Sequence, residues 1–370
     1  MSIKYDDHGR HLYLLKVPLL VHLPWILETN TTKPYYLKMK KTLLAMAAYI
    51  IFISSITAQV QMAEIGDHTL RNGEILVNVK LGYQTYGTLN PEKSNAILFP
   101  TWYGGTGESL KPYIGRETMI DTTKFYLIVV DALGDGISSS PSNASTKPGT
   151  KFPEFGIGDM VDLQHKLVKD VLKIDHLYAV IGISMGGMQT YKWMASYPDF
   201  FDRAIPIVGS PKLSVYDQLN YEIFKKILNS EILHGTKEET FLMLEYSLGL
   251  TPQYYQDGTE SIDEVLRKIK DEAQHYDVRD LYSQIQAISK HNLEEDLERR
   301  NAKSLSEVFK GRALIIYSST DNLVAPSANL DAIADLKAKS LDLNSDCGHY
   351  TFGCDMDKIG EAVRAFLIEP

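Results

Sequence analysis

The sequence predicts an α/β protein: a mostly parallel central sheet flanked by helices, with a helical cap inserted late in the chain. Three observations carry that expectation. Short runs rich in valine, isoleucine and leucine recur, each the length of a strand buried on both faces. Stretches with helical spacing lie between them. From about residue 212 to 308 the alternation stops, and charged amphipathic segments replace it.

Taken in order, Ile75–Tyr86 alternates apolar and polar residues and reads as a strand. Ala96–Pro100 and 125–131 are short buried strands. Residues 159–172 carry Met160, Leu163, Leu167, Val168 and Val171 at helical spacing. Leu177–Ile183 is a strand, and a helix runs from Met185 to about Ser196. Residues 204–208 and 313–318 are further buried strands, 340–343 is the last, and a helix over 358–367 ends the chain. Strands separated by helices must cross over the sheet, which makes it parallel and covered on both faces. Within 212–308, Ile262–Ala273 and 293–305 are amphipathic and no buried strand is evident, so the segment reads as a cap over the active site.

The first 58 residues read as a targeting region. Lys40 and Lys41 form a positive start, 43–53 is an apolar run, and 54–58 ends in small residues suited to signal peptidase. Translation is expected to begin at Met39, with cleavage near Ala58. The product would be exported, periplasmic or extracellular. The alternative is a membrane anchor formed by residues 43–58, although the run is short for a span. The resulting organisation is an extension and signal over 1–58, core over 59–211, cap over 212–308 and core again over 309–370.

The bulk numbers exclude some functions. The chain has 370 residues, 44% of them hydrophobic, and a net charge of −9. That is enough for a large core and a poor match to nucleic acid, which asks for clustered positive charge. Two cysteines, Cys347 and Cys354, are too few for a disulfide scaffold. They bracket one loop, where they either pair in an oxidising compartment or stay as two buried thiols. No metal-ligand spacing appears.

The chemistry rests on Gly182-Ile183-Ser184-Met185-Gly186. A serine held at a sharp strand-to-helix turn projects its hydroxyl above the sheet, and glycines leave room for that turn. A buried strand precedes Ser184 and a helix follows it, as the motif requires. An incidental serine in a tight glycine turn is the bland alternative. A serine nucleophile needs a base, and the base needs an orienting acid. In the α/β-hydrolase fold, which this element order and motif predict, they follow in the order serine, acid, histidine. Asp321 follows the strand over 313–318, and His349 follows the strand over 340–343. Asp342 and Asp346 are rival acids. His165, His176, His234, His275 and His291 are rival bases, best read as surface or satisfied core residues. The oxyanion hole falls to the backbone amides of Trp102, in the loop after the Ala96–Pro100 strand, and of Met185. Trp102 also reads as a hydrophobic wall.

Several stretches resemble the homoserine O-acetyltransferase family. They are Tyr83-Gln-Thr-Tyr-Gly-Thr-Leu-Asn90, the loop over 131–143, Asp159-Met-Val-Asp-Leu-Gln164, Gly182-Ile-Ser-Met-Gly-Gly-Met-Gln189, Tyr197-Pro198, Arg203-Ala-Ile-Pro206, 319–326 and Gly348-His349. The resemblance implies the fold, the Ser184–Asp321–His349 triad and acyl-transfer chemistry. The chain departs from the family at three places. Pro100-Thr-Trp-Tyr-Gly104 replaces a His-Ala-Leu-Thr-Gly type loop. Gly158 stands where the family has an arginine. Phe224, followed by lysines, replaces the cap arginine that meets the homoserine carboxylate, and lysine is no equivalent for a bidentate guanidinium.

The expected activity is therefore acyl transfer through an acyl-Ser184 intermediate, first as an exported hydrolase of small or medium acyl esters. An O-acyltransferase is the alternative, with acetyl-CoA or another acyl donor as co-substrate. A non-catalytic binding protein on the same fold is the third reading. The partner is a small-molecule acyl ester or thioester, with no tightly bound cofactor, no nucleic acid and no stable membrane span in the mature form. A homodimer stays open. The tyrosines Tyr216, Tyr221, Tyr246, Tyr254 and Tyr255 hint at an aromatic pocket wall.

Overall fold

The computed structural model describes residues 59–144, 151–233, 235–258 and 260–369. The expected targeting region, its cleavage point and His234 lie outside the described residues. Eight strands form one sheet in the order β1-β2-β4-β3-β5-β6-β7-β8. They are β1 Gln61–Thr69, β2 Ile75–Tyr86, β3 Ala96–Pro100, β4 Tyr126–Val130, β5 Leu177–Ile183, β6 Phe201–Ile207, β7 Arg312–Tyr317 and β8 Lys339–Asp342. The pairs β1–β2 and β2–β4 are antiparallel, and every pairing from β4 through β8 is parallel.

β1 is the strand that periodicity did not reveal. Only Ala63 in it is buried, and its register to β2 slips around Gly66. An exposed edge ribbon has no apolar face to write into the sequence.

The central strands obey a period of two. Val180 packs on one face of the sheet, while Ala179, Ile181 and Ile183 pack on the other. In β3, Leu98 faces the first side and Ile97 and Phe99 the second. The first side is covered by α1 (Ile157–Lys166) and α2 (Met185–Ser196), through Met160, Leu163, Met188 and Trp193. The second is covered by the C-terminal helix Met356–Ile368, through Ile359, Val363 and Phe366. The helix expected over 159–172 does continue past Lys166, but as a wider turn over Leu167–Val171, where the Leu172 amide reaches the Leu167 carbonyl at 2.9 Å.

Between β6 and β7 the regular elements among the described residues are all helices. The segments are α3 Val215–Leu228, α4 Lys237–Gly249, α5 Pro252–Asp257, α6 Ile262–Ala273, α7 Val278–Ser289, α8 Glu294–Arg299 and α9 Leu305–Val308. Ser214 caps α3, accepting from the Asp217 amide at 3.1 Å, and Ser261 caps α6 with Glu264 returning the bond. Asp217 also accepts from the Ala325 amide at 2.8 Å, which ties α3 to the loop after β7.

Gly158, the family's arginine position, is filled from elsewhere. The Arg71 guanidinium lies over it, so close that a Cβ at residue 158 would sit 2.6 Å away. Arg71 is bound at 2.7 Å by both Asp162 and Asp296. Among the described residues no helix is long and apolar enough to cross a membrane.

Candidate active site

β5 ends at Ile183 and α2 begins at Met185, so Ser184 has to turn the chain in a single residue. It does so at φ 56° and ψ −118°, a conformation an L-residue adopts only under constraint. The constraint is visible at both glycines. A Cβ on Gly182 would lie 1.9 Å from the Gly186 carbonyl oxygen, and one on Gly186 would lie 2.7 Å from the Pro100 carbonyl oxygen. Only glycine fits either place. The Ser184 amide donates to the Ile207 carbonyl at 2.8 Å, and its carbonyl accepts from the Met188 amide at 3.0 Å. The backbone is thus pinned on both sides of the strained residue.

The three side chains expected to act together do meet. Ser184 Oγ lies 2.8 Å from His349 Nε2, and His349 Nδ1 lies 2.7 Å from Asp321 Oδ2. The other carboxylate oxygen of Asp321 accepts from the Leu323 and Val324 amides at 2.9 and 2.8 Å. The acid is therefore fully occupied and cannot rotate away. All three sit beyond the C-terminal ends of parallel strands β5, β7 and β8, where the loops of such a sheet converge. His349 and Asp321 are buried. Burial pushes the imidazole pKa down, but the Asp321 carboxylate, with Glu245 and Asp217 behind it, lifts it above its ordinary value.

The His349 loop is anchored from two directions. Cys347 and Cys354 form a disulfide across it, with their Cα atoms 6.5 Å apart. Pairing, one of the two options the sequence left open, is the one found; Cys354 is exposed rather than buried. Thr251 donates to the Asp346 carbonyl through both its amide and its hydroxyl. Most of the rival residues are occupied elsewhere. Asp342 accepts from the Ser319 and Asn344 amides. His291 holds the Ser210 carbonyl, His165 stacks on Tyr197, and His176 pairs with Asp202 at the surface.

Trp102 lies in the loop after β3, the strand beside β5. Its ring packs on Phe352 at 5.3 Å and on Tyr113 at 6.1 Å, and it lines the cavity above Ser184. Among the described residues the Trp102 amide has no acceptor. The Met185 amide is the first of α2 and has no partner within its own helix.

Gln189 is a member of this site that the motif reading left without a role. Fully buried, it donates from Nε2 to the carbonyls of Thr101 at 3.0 Å and Met185 at 3.2 Å. Its own oxygen accepts from Gln164 at 2.5 Å, and Gln164 accepts from the Trp193 indole at 2.9 Å. The Thr101 carbonyl and the Trp102 amide belong to one planar trans peptide, so they point in opposite directions. Holding the oxygen aims the N–H. The available signal was a glutamine at the interior of a helix that the sequence marks as buried.

The cavity over Ser184, of about 70 Å³, is lined by Trp102, Tyr103, Phe241, Tyr276, Tyr350 and Phe352, with Glu245 and Glu272 among them. Of the tyrosines expected in a pocket wall, Tyr246 stands behind it. Tyr246 stacks on Tyr350 at 5.3 Å and donates to Glu272 at 2.6 Å. Tyr216, Tyr254 and Tyr255 are exposed and Tyr221 is packed in the core.

Comparison with known proteins agrees with this fold. Residues 97–353 match the model of the alpha/beta hydrolase fold family. The chain belongs to that family. It is 39% identical over 173 residues to ethyl acetate hydrolase of Pseudomonas veronii, covering 46% of this chain and 50% of that protein. At that level of identity the chain spans about half the length of the curated relatives it matches. Homoserine O-acetyltransferase of Haemophilus influenzae is 27% identical over 345 residues, covering 80% of this chain and 94% of its own. The solved structure of the acetyl esterase MekB superposes with a TM-score of 0.76 at 26% identity, covering 84% and 95% of the two chains.

Proposed function

We propose that this chain hydrolyses small or medium acyl esters through an acyl-Ser184 intermediate. The observation that carries the reading is the unbroken series Ser184 Oγ, His349 Nε2, His349 Nδ1, Asp321 Oδ2, at 2.8 and 2.7 Å, ending on a serine in a strained turn. His349 takes the proton from Ser184 as its oxygen attacks the ester carbonyl. The Trp102 and Met185 amides hold the tetrahedral oxyanion, and Asp321 stabilises the imidazolium that forms. His349 then protonates the leaving alcohol, and water repeats the steps in reverse to free the acid. The relatives named as esterases support hydrolysis of short acyl groups.

A transfer of the acyl group to an alcohol is the second reading. It is favoured by the match to homoserine O-acetyltransferase over nearly that enzyme's whole length. The expected export signal accords with a disulfide in the His349 loop, because such bonds persist in oxidising compartments. Val215, Leu219 and Ile223 leave an apolar stripe exposed along α3, in keeping with a homodimer that sedimentation would detect as a doubled mass.

One assay tests the activity. Purified protein is given p-nitrophenyl acetate with and without homoserine, beside Ser184→Ala. Nitrophenol release that homoserine does not alter, and that the variant lacks, is the expected result. Accumulation of O-acetylhomoserine would install the transferase reading instead.

A further inference from the structure

The cavity above Ser184 has an unusual charge balance. Among its lining residues the ionisable groups besides His349 and the tyrosines are Glu245, on α4, and Glu272, on α6. No lysine or arginine lines it, and neither glutamate has a cation within ion-pair distance among the described residues. The two Glu272 oxygens are taken by tyrosine hydroxyls, from Tyr246 at 2.6 Å and Tyr276 at 3.1 Å. Glu245 faces the cavity close to His349 and Tyr350. Burial and the neighbouring Glu272 carboxylate push its pKa up to about 7, although His349 and a hydrogen bond with Tyr350 pull it the other way. A positive charge in the cavity would relieve that strain on Glu245.

The walls have the matching chemistry. Six aromatic side chains surround the two carboxylates. Tyr103 meets Phe241 edge to face at 5.6 Å, and Tyr350 lies against Phe352 at 5.9 Å. Aromatic faces with a carboxylate among them are the environment that binds ammonium groups, through the ring quadrupole and direct charge. Outward, the cavity adjoins a second one of about 370 Å³ that shares Gly104, Tyr276 and Leu281. There the lining adds Asp135, Asp277 and Asp280, Asp277 being paired with exposed Arg279, together with His275, and again no lysine or arginine. Carboxyl groups thus outnumber basic side chains in the approach as well as in the inner cavity.

We propose that this cavity selects small acyl esters whose alcohol portion carries an ammonium group, which Glu245 and the faces of Tyr276 and Tyr350 receive. The inference rests on the acyl-Ser184 reading. In the reaction, the bond between acyl carbon and alcohol oxygen breaks as the Ser184 Oγ–acyl bond forms. The proton taken from Ser184 passes through His349 to the departing amino alcohol. Water then cleaves the acyl enzyme to the free acid. An acyl donor bearing phosphates meets the carboxylates of Glu272 and Asp280 with no lysine or arginine in the lining, and is a poor substrate.

The test compares two esters of the same shape, acetylcholine and 3,3-dimethylbutyl acetate, which differ in a charged nitrogen against a neutral carbon. p-Nitrophenyl acetate reports the chemistry itself. Wild-type protein is expected to show kcat/KM about 10-fold higher for the cationic ester. Glu245→Gln is expected to bring the ratio of the two close to one. The ratio is independent of how much of the variant folds. Equal rates for the two esters in the wild type, with p-nitrophenyl acetate hydrolysed, would overturn the inference and leave ester hydrolysis standing. No hydrolysis of any of the three would overturn both.

Discussion

The active-site cavity is built from two regions that differ in kind. Its floor comes from the ends of parallel strands: Ser184 after β5, Asp321 after β7, His349 after β8. Each of these residues is over-determined by short hydrogen bonds or by steric exclusion, as at Gly182 and Gly186. Its roof comes from the helical segment between β6 and β7, which contributes Phe241 and Glu245 from α4, Glu272 from α6, Tyr276 from the turn after it and Leu281 from α7. There the contacts are rings and carboxylates. The floor carries the side chains placed to react, and the roof supplies the groups that a bound molecule would meet. That division explains how relatives named as hydrolases and as acetyltransferases share one fold.

Substitutions on the two sides should therefore fail differently. The largest effect belongs to the floor. Ser184→Ala is expected to lower kcat by about 10⁴- to 10⁶-fold, read with p-nitrophenyl acetate, while circular dichroism stays native. Residual turnover near the wild-type rate would remove Ser184 from the chemistry.

The next effect lies one layer beneath. Gln189→Leu leaves the triad in place but releases the Thr101–Trp102 peptide. It should cost about 10- to 100-fold in kcat with KM little changed, because the misaimed amide is used most in the transition state. A change confined to KM would mean that Gln189 only shapes the pocket.

A third experiment joins roof and floor. His349 must be neutral to accept a proton, and its pKa is raised, so kcat/KM should fall on acidification at a pH above the ordinary imidazole value of about 6.5. Glu245 is one of the groups lifting it. Glu245→Gln withdraws negative charge, disfavours the imidazolium and should move that acid limb to lower pH. An unmoved limb would separate the roof electrostatically from the triad.

The smallest effect concerns the loop between them. Cys354→Ser opens the short ring around His349 and is expected to cost about 2 kcal/mol of stability, read as a lowered Tm, with a modest fall in kcat.

The floor was legible in the sequence because its constraints are local. Gly182, Ser184 and Gly186 must be those residues for the turn to exist at all. The strands around them are apolar on both faces, so their order survives in the letters. Asp321 and His349 could be found by position after the late strands. Gln189 was visible as a buried helix residue, but its role depends on a peptide 88 positions earlier in the chain. β1 escaped because an exposed ribbon carries no pattern.

The roof was not legible for a different reason. Helical spacing tells which residues share a face, as in Ile262–Ala273, but not what that face meets. The tyrosines singled out by number alone mostly point elsewhere, whereas Tyr276 and Tyr350 line the cavity. The sequence by itself determined the sheet, the nucleophile turn and the chain order of serine, acid and base, since these follow from backbone sterics and burial along short stretches. Only the tertiary structure decided that Glu245 and Glu272 face Ser184 across a ring of aromatic side chains, because that depends on how helices distant in sequence pack over the ends of the strands.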